Sequence, residues 1–497
     1  MFSHLTFPTL WTVRHLFLAL VAALVWPSTA AEAKNLYVNA TAGNDATSYA
    51  TNGPNAPWRT IGRAAWGSTN RDARVSSEAA RAGDVVLVAA GTYSTVATNQ
   101  RATPSLYTQN QGTPGNPIVF RADGLVTITQ SGVGPVIGSF EQDYITWDGF
   151  TIDEASARSV ADTGPVVVWF CTGCVLQNLT IIGNGNDFGR GDNHTGIRVE
   201  QSDNITIRGN RIRNVYSAAN RNNGAGVMTY SSYNLLIEGN EISECGAGVF
   251  LKGGPYRGPS NSIIRYNYIH HVGTGNYAQD TADGSAVALH AGATGTVDGP
   301  ILVYQNVLTD AALAGVRIWG FDGVDPQNNP MHTKVVNNTL VRVPVGYYVD
   351  ALPLANASHV FANNVVTATS EVIGYNTQSG SPNDTTRVAM ARNVGTGPTW
   401  AVVPIENRRN LAAWQAATGQ DAGSVAADPG FASASDYHLS ATSPARGVGR
   451  AVYGIGGAAG TVIPAGAYIT GSEVIGTGAT YPNLPSAPRN LRITGFN

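Results

Sequence analysis

Short runs of alternating hydrophobic residues recur through the middle of the chain. Seven runs share one pattern, in which a small residue precedes mostly apolar positions: residues 164–169 (GPVVVW), 196–200 (GIRVE), 226–230 (GVMTY), 248–252 (GVFLK), 286–290 (AVALH), 315–319 (GVRIW) and 346–350 (GYYVD). Repeats at intervals of about 20–50 residues are typical of solenoids, in which each repeat adds one turn. The pattern therefore predicts an all-β, single-stranded parallel β-helix.

A second apolar run follows each copy and contains an asparagine. These asparagines lie 26 to 39 residues apart and are Asn178, Asn210, Asn240, Asn267, Asn306, Asn338, Asn364 and Asn393. Unequal spacing is compatible with a solenoid, because insertions fall in loops between strands. Asparagine tolerates the left-handed backbone of a turn, and its amide forms hydrogen bonds between stacked chains. We expect one asparagine ladder, with each member at a turn.

Alternate residues of a strand face opposite sides of the sheet, so each run divides into columns. Two columns are almost wholly apolar and are predicted to point into the coil. The two columns between them are predicted to point outward. The first outward column is Val167, Arg198, Met228, Phe250, Ala288, Arg317 and Tyr348. The second, called here the Lys252 column, is Trp169, Glu200, Tyr230, Lys252, His290, Trp319 and Asp350.

The Lys252 column concentrates groups that bind sugars and move protons. Neighbouring turns lie about 4.8 Å apart, so Glu200, Tyr230, Lys252 and His290 are expected to form a solvent-facing stripe roughly 14 Å long. Aromatic rings cover the flat faces of sugars, and cations neutralise carboxylates. Trp169 and Trp319 flank the stripe, and Arg198 and Arg317 stand beside it. The column is therefore predicted to bind an elongated acidic polysaccharide.

Such a stripe has the groups for β-elimination on a uronate, which requires neutralising the carboxylate, removing the C5 proton and protonating the leaving oxygen. We predict Lys252 as the base, with its pKa lowered by Arg317 or by protonated His290, and His290 or Tyr230 as the acid. Carboxylate binding is assigned to Arg198, Arg317 and Arg257, and further substrate contacts to Glu200, Trp169, Trp319 and His271. The alternative is that outward Lys252 and Glu200 simply pair across turns as a solvated ladder.

Composition and net charge limit the kinds of molecule that the protein is expected to bind. The 57 glycines and only 13% charged residues fit short strands and tight turns, and the net charge of −3 gives no reason to expect nucleic acid. We expect a monomer.

Calcium is a candidate cofactor at two acidic turns, because Gly/Asp/Asn loops offer oxygen ligands, although they are also ordinary turn sequences. The carboxylates concerned are Asp187 and Asp192 in one turn and Asp280 and Asp283 in the other.

The chain begins with a pattern typical of a secretory signal. Arg14 and His15 precede an apolar run at residues 16–26, which is short for a membrane span, and small residues follow. We predict a signal peptide at residues 1–33 and export to the periplasm or outside a bacterium.

The pair Cys171 and Cys174 is then expected to form a local disulfide in an oxidising compartment. Inert buried thiols are the alternative, and metal or redox chemistry is a third possibility.

The remaining boundaries follow composition. Residues 34–110 are predicted to form an N-terminal cap and first strands, 111–400 the parallel β-helix, 401–480 a closing segment and 481–497 a linker or tail.

The repeats, cap and closing segment together resemble secreted right-handed parallel β-helix proteins, especially polysaccharide lyases of the alginate lyase and chondroitinase B type. That resemblance implies a right-handed coil and a lysine base, which Lys252 matches; where those lyases have an arginine on the next turn, this chain has His290.

Two other functions remain open from the sequence. A glycoside hydrolase needs two carboxylates about 5–10 Å apart. Glu200 and Asp350 are five turns apart, which is too far, but Asp322 or Asp325, or the acidic turn at Asp280 and Asp283, could supply such a pair. A non-catalytic carbohydrate-binding or surface β-helix protein would use the same stripe for binding alone.

Overall fold

The computed structural model describes residues 33–153, 163–183, 193–216, 224–254, 258–274, 284–291, 299–320, 331–350, 358–376, 388–402 and 408–477. These residues form a parallel β-solenoid of about nine turns, with strands at its N-terminal end and little helix. The predicted fold class is thereby confirmed. The predicted signal peptide lies outside the described residues except for its last position, Ala33. Among the described residues, no helix is long and apolar enough to cross a membrane.

Each turn passes through three strand positions, which define three faces of the coil. Face 1 contains Ile137–Phe140, Val166–Trp169, Thr195–Glu200, Ala225–Tyr230, Ala247–Lys252, Ser285–Ala291, Ala314–Gly320 and Thr399–Val402. Face 2 contains Asn35–Val38, Val175–Gln177, Thr206–Arg208, Leu236–Glu238, Ser262–Arg265, Ile301–Tyr304, His332–Val336, Ser358–Ala362 and Val388–Ala391. Face 3 contains Thr180–Ile182, Arg211–Arg213, Glu241–Ser243, Tyr268–Val272, Val307–Ala311, Val394–Thr396 and Val425–Ala426.

Longer strands bend from one face to the next. Val85–Val96, Ile118–Ser131 and Ile145–Asp153 run from face 2 to face 3, and Thr339–Asp350 and Val365–Asn376 run from face 3 to face 1. Among the described residues, the α-helices lie at the two ends of the coil, at Ile61–Trp66 and Leu411–Thr418, with short 3-10 turns at Ser76–Glu78 and Pro444–Gly447. Antiparallel pairing occurs where Arg408–Arg409 joins Thr399–Val402 and where Gly449–Arg450 meets Val462–Ile463.

All seven repeated runs lie in face 1 and pair residue for residue with their neighbours. Val227, for example, lies between Ile197 and Val249 in the parallel register. The two columns predicted to point inward are at most 3% exposed. Their side chains belong to the continuous core inside the coil, together with apolar residues of faces 2 and 3. Burial of these columns is what holds the runs in register, because a shift by one residue would turn every side chain to the other side.

An asparagine ladder runs along the inside of one corner, between faces 2 and 3. The backbone N–H and the side-chain Nδ2 of Asn240 both donate to Oδ1 of Asn267, at 3.0 and 2.9 Å. The same pattern joins Asn210, Asn240, Asn267, Asn306, Asn338, Asn364 and Asn393. The ladder ends at Asp421, which accepts from Asn393 Nδ2 and from the indole N–H groups of Trp400 and Trp414.

Two details of the predicted ladder are wrong. Asn178 is not a member, because Leu179 occupies the ladder position of that turn and donates its backbone N–H to Asn210 Oδ1. The left-handed residue is also the one before each ladder asparagine, as at Gly209 (φ 62°), Gly239 (φ 61°) and Tyr266 (φ 55°). The preceding residue makes the corner, and the asparagine that follows is therefore free to extend its amide along the stack.

The closing segment lies along the outside of the coil and crosses several turns. Gly466 N–H donates to Asn363 O at 2.8 Å, and ten residues later Gly476 N–H donates to Tyr266 O at 2.8 Å. Thr477 Oγ1 then donates to Glu241 Oε2 at 3.0 Å. Apolar residues of the segment cover the outer surface of face 2, where Ile455 packs with Leu302 and Val360. The segment thus covers outer surface on faces 2 and 3.

The predicted disulfide is absent. Cys171, Cys174 and Cys245 are free thiols, and all three are buried. Cys171 lies in a turn stacked on Ser202, whose Oγ accepts the Cys171 backbone N–H at 3.1 Å. Burial raises the pKa of Cys171 well above its usual range and that of Cys245 to about 12. These two are therefore protonated at neutral pH, and the buried, unbridged state of Cys171 and Cys174 agrees with the alternative of buried thiols.

Candidate functional site

The Lys252 column forms one row along the outer side of face 1. Trp169 pairs with Glu200, Glu200 with Tyr230, Tyr230 with Lys252, Lys252 with His290 and His290 with Trp319. The first outward column is equally continuous, so that Arg198, Met228, Phe250, Ala288 and Arg317 occupy successive turns. The side chains predicted to lie on successive turns of the two outward columns therefore do so.

The row is much less exposed than expected. Glu200 is 3% exposed, His290 1% and Trp169 4%, and Arg198 and Arg317 are also buried, whereas Tyr230, Lys252 and Trp319 are partly exposed. The expectation of an open stripe is wrong because alternation along a strand fixes the side of the sheet and not what lies over it. Two covering contacts are visible: Gly254 lies against the Tyr230 ring, and the Arg101 guanidinium lies 5.0 Å from the Trp169 ring.

Arg198 and Glu200 form a buried ion pair. Arg198 Nε donates to Glu200 Oε1 at 2.7 Å, and its terminal nitrogen donates to the same oxygen. Both side chains are about 5% exposed. A buried pair of this kind is held together because either charge alone would be poorly solvated. The predicted roles of these two residues as substrate contacts therefore compete with a structural role, in which each neutralises the other.

An apolar floor lies beside Lys252. Phe250 packs with Met228 and Ala288, and its ring centroid lies 5.2 Å from that of Trp319 and 6.4 Å from that of His290. Lys252 Nζ lies 5.9 Å from the centroids of both Phe250 and Tyr230. The ammonium group is thus flanked by aromatic rings, which is a favourable setting for a cation that remains partly solvated.

His290 has a strongly lowered pKa. Burial, followed by the positive charges of Lys252 and Arg317, lowers the pKa of His290 to about 3. The imidazole is therefore neutral at pH 7. It cannot supply the positive charge that was predicted to lower the pKa of Lys252, and it is not an imidazolium acid at that pH. Its low pKa shows instead that Lys252 and Arg317 both act electrostatically on the same point of the site.

Arg317 stands over the aromatic end of the row. Its guanidinium carbon lies 4.2 Å from the Trp319 ring and 5.7 Å from the Tyr348 ring. The His290 ring meets the Trp319 ring edge to face at 4.9 Å. Because guanidinium groups bind planar carboxylates well and stack on rings, this end of the row has both elements needed to hold an acidic sugar.

The structure does not bring every predicted residue to the row. His271 is in Tyr268–Val272 of face 3, with its Nδ1 2.8 Å from that of His270. The next face 1 strand runs from Ser285 to its row position at His290, so His271 lies beyond the opposite end of that strand, roughly 15–20 Å away. Outside the described residues are Arg257, Asp187, Asp192, Asp280 and Asp283. Within the described residues, no group of three or more His, Cys, Asp or Glu side chains is arranged to hold a metal.

Three residues of the site were not singled out from the sequence. Met228 and Phe250 form the floor, and Tyr348 lies against Arg317. All three belong to the first outward column, for which the sequence analysis assigned functional roles only to the arginines. The available signal was that large apolar side chains occur on the outer side of the sheet at the same turns as Tyr230 and Lys252.

Comparison with known proteins supports the fold. A family model described as the right-handed β-helix region matches residues 144–340. The solved structure of pectate lyase Pel9A has a TM-score of 0.51 at 16% identity, covering 88% of this chain and 96% of that one. A mannuronic acid specific polysaccharide family 6 lyase from human gut microbiota has 14% identity and a TM-score of 0.43, with 76% of this chain and 77% of that one covered.

A further solved structure is the A-module of the Azotobacter vinelandii mannuronan C-5 epimerase AlgE4, at 11% identity and a TM-score of 0.43, covering 69% of this chain and 87% of that one. Glycoside hydrolases also occur among the similar structures. No curated protein matches the sequence. Identities this low establish the architecture alone. Residues 144–340 therefore form a right-handed β-helix region, and the chain shares its overall fold with pectate lyase Pel9A.

Proposed function

We propose that the protein is a secreted polysaccharide lyase that cleaves a uronate-containing polysaccharide by β-elimination. One observation carries the proposal: Tyr230 and Lys252 are paired in register, are partly exposed, and adjoin Arg317 and the neutral His290. Export rests on the signal-like N-terminal sequence. The similar solved structures support the fold on which this chemistry is proposed, and the residues support the chemistry.

Lys252 is the proposed base. In β-elimination the amine of Lys252 takes the C5 proton of the uronate, the electrons of that C–H bond form a C4–C5 double bond, and the C4–O bond breaks. The amine must be unprotonated when it accepts the proton. Lys252 and Arg317 both act on His290, so the two cations lie near each other, and a neighbouring positive charge favours the neutral amine.

Tyr230 is the proposed acid for the leaving oxygen. It occupies the turn adjacent to Lys252, and its ring lies 5.9 Å from Lys252 Nζ. A phenol carries its proton at neutral pH, whereas His290, with a pKa of about 3, does not carry the second proton it would need to act as an imidazolium acid. His290 is left with a supporting part in the site, as a neutral group packed on Phe250 and Trp319.

Arg317 is the proposed partner of the substrate carboxylate. Neutralising this carboxylate makes the neighbouring C5 proton easier to remove, because negative charge accumulates there in the transition state. The guanidinium is stacked on Trp319 and lies near Tyr348, so its plane is fixed before substrate binds. Partly exposed Trp319 adds a flat surface for a sugar ring. Calcium at the predicted acidic turns would add to this neutralisation, and chelation followed by calcium addition tests that part separately.

The experiment is an incubation of purified protein with alginate, pectate and glycosaminoglycans. A lyase produces one unsaturated uronate for each bond broken, which is measured by its ultraviolet absorbance, together with one new reducing end. The proposal predicts equal growth of both signals with at least one polymer. Reducing ends without absorbance would instead identify hydrolysis, and retarded migration without cleavage would identify a binding protein.

A further inference from the structure

A cavity lies in the N-terminal part of the molecule, apart from the Lys252 column. It has a volume of about 450 Å³ and lies between the helix Ile61–Trp66 and the outer end of the strand Val85–Val96. Small-molecule sites are typically about 300–1,000 Å³ in volume, mainly apolar and equipped with a few fixed polar groups. The cavity has the size and the mixed lining of such a site.

Two aromatic side chains line the cavity, and both are fixed. The Tyr93 hydroxyl accepts the Ala40 N–H at 3.2 Å and donates to Ala89 O at 2.9 Å. The Trp66 ring lies over Gly62 one helical turn earlier, where a Cβ atom would come within 2.4 Å of it. The absence of a side chain at Gly62 therefore makes room for the indole. Rigid rings of this kind provide contact area at little entropic cost.

The indole N–H of Trp66 adds a second observation. It is buried and has no hydrogen-bond acceptor among the described residues. Buried polar groups are nearly always paired in folded proteins, and an unpaired donor costs about 1–3 kcal/mol. In this conformation the N–H has almost no surface accessible to water. The edge of the ring packed on Gly62 is the benzo edge, so the N–H lies on the opposite edge.

The polar lining is positioned by contacts with the protein. Arg71 donates one terminal N–H to Val96 O at 2.9 Å, and Arg59 donates its Nε–H to Gly43 O at 3.0 Å. Asp45 accepts the Arg59 N–H at 2.8 Å and the Thr60 hydroxyl at 2.9 Å. A guanidinium has five N–H donors, so these anchoring contacts leave each arginine capable of further ones. Asp45 and Asp72 balance the two arginines in charge.

We propose that this cavity is a second, non-catalytic carbohydrate site that binds one or two sugar units. Aromatic side chains together with planar guanidinium and carboxylate groups, all lining one cavity, are the chemistry that sugars require. The balanced charge favours recognition of hydroxyls over capture of a carboxylate. The inference does not depend on the Lys252 column being catalytic, because the cavity shares no lining residue with it.

The test measures binding of a disaccharide panel by saturation-transfer NMR and titration calorimetry, using cellobiose, maltose, xylobiose and digalacturonate. Thr92 is exposed on the cavity wall, so Thr92→Trp should fill the cavity without removing a core contact. We expect at least one neutral disaccharide to bind wild type and to bind Thr92→Trp at least tenfold more weakly. Leu125→Trp is the control, since Leu125 is 74% exposed and does not line the cavity.

Two further variants make the outcome decisive. Lys252→Ala should bind the same disaccharide as wild type does, which separates this site from the proposed catalytic row. Arg71→Ala should weaken binding without adding bulk, and it replaces Thr92→Trp if circular dichroism shows that variant to be unfolded. The inference is overturned if wild type binds none of the four disaccharides, or if folded Thr92→Trp and Arg71→Ala both bind as tightly as wild type.

Discussion

The buried pair Arg198–Glu200 gives the sharpest test of which groups in the row are structural. Glu200→Gln keeps the size and one acceptor oxygen of the side chain but removes its charge. Arg198, about 5% exposed, then remains as a buried cation without its counterion. We expect the folded state to be destabilised while the reaction of folded protein is little changed.

The magnitude follows from the burial of the pair. Removing one partner of a buried ion pair costs about 3–5 kcal/mol. Because glutamine retains an acceptor oxygen, we expect the free energy of unfolding to fall by about 3 kcal/mol. The matched comparison is Glu241→Gln in the exposed pair Arg211–Glu241, whose side chains are 55% and 30% exposed at an N–O distance of 3.1 Å. Exposed pairs contribute about 0–1 kcal/mol, so this variant should unfold close to wild type.

The assay combines urea unfolding, followed by circular dichroism, with initial rates measured on the same preparations well below the transition. Adding Arg198→Met to Glu200→Gln should restore much of the lost stability, because no buried charge then remains. The reasoning is refuted if Glu200→Gln is within about 1 kcal/mol of wild type. If it is also more than tenfold slower, Glu200 is a functional carboxylate, as the sequence interpretation had it.

Three further predictions concern the ladder, His290 and the thiols. Asn267→Ala should destabilise by several kcal/mol, since buried N–H groups of Asn240 lose their acceptor, whereas Asn178→Gly should cost less than about 1 kcal/mol because it keeps the left-handed corner. The depressed pKa of His290 means that unfolded chains bind its proton first, so stability should fall as pH drops from 6.5 towards 3, by about 2 kcal/mol at pH 5, and His290→Gln should flatten that part of the urea-stability profile. A thiol reagent should find no reactive cysteine in the native protein and three after unfolding, whereas a disulfide would leave one.

The architecture could be predicted because the hydrophobic pattern of the sequence is periodic. A period of two within each run gives the side on which each residue lies, and repetition of the run gives the neighbour on the next turn. The pairing of Tyr230 with Lys252 and of Lys252 with His290 follows from those two facts alone. The membership of Asn178 was misjudged because its turn has leucine at the ladder position, so the nearest asparagine was one residue too early.

Exposure and protonation could not be predicted in the same way. Glu200 and His290 lie on the outer side of the sheet and are nevertheless buried, and a strand pattern contains no information about that burial. The neutral state of His290 depends in turn on that burial and on two cations of the adjacent turns, Lys252 in the same column and Arg317 in the other. The cavity near Trp66 is formed by residues from the helix, a loop and a strand without a shared sequence pattern. Each property arises from contacts between segments far apart in sequence.

The central claim is that Lys252 removes the proton in a β-elimination. The direct measurement is the initial rate of unsaturated-uronate formation by Lys252→Ala, compared with Lys334→Ala, which removes a half-buried lysine from face 2. We expect Lys252→Ala to lose at least about a thousandfold in rate with an unchanged circular dichroism spectrum, and Lys334→Ala to stay within threefold of wild type. A Lys252→Ala protein that forms the product as fast as the Lys334→Ala protein would contradict the account.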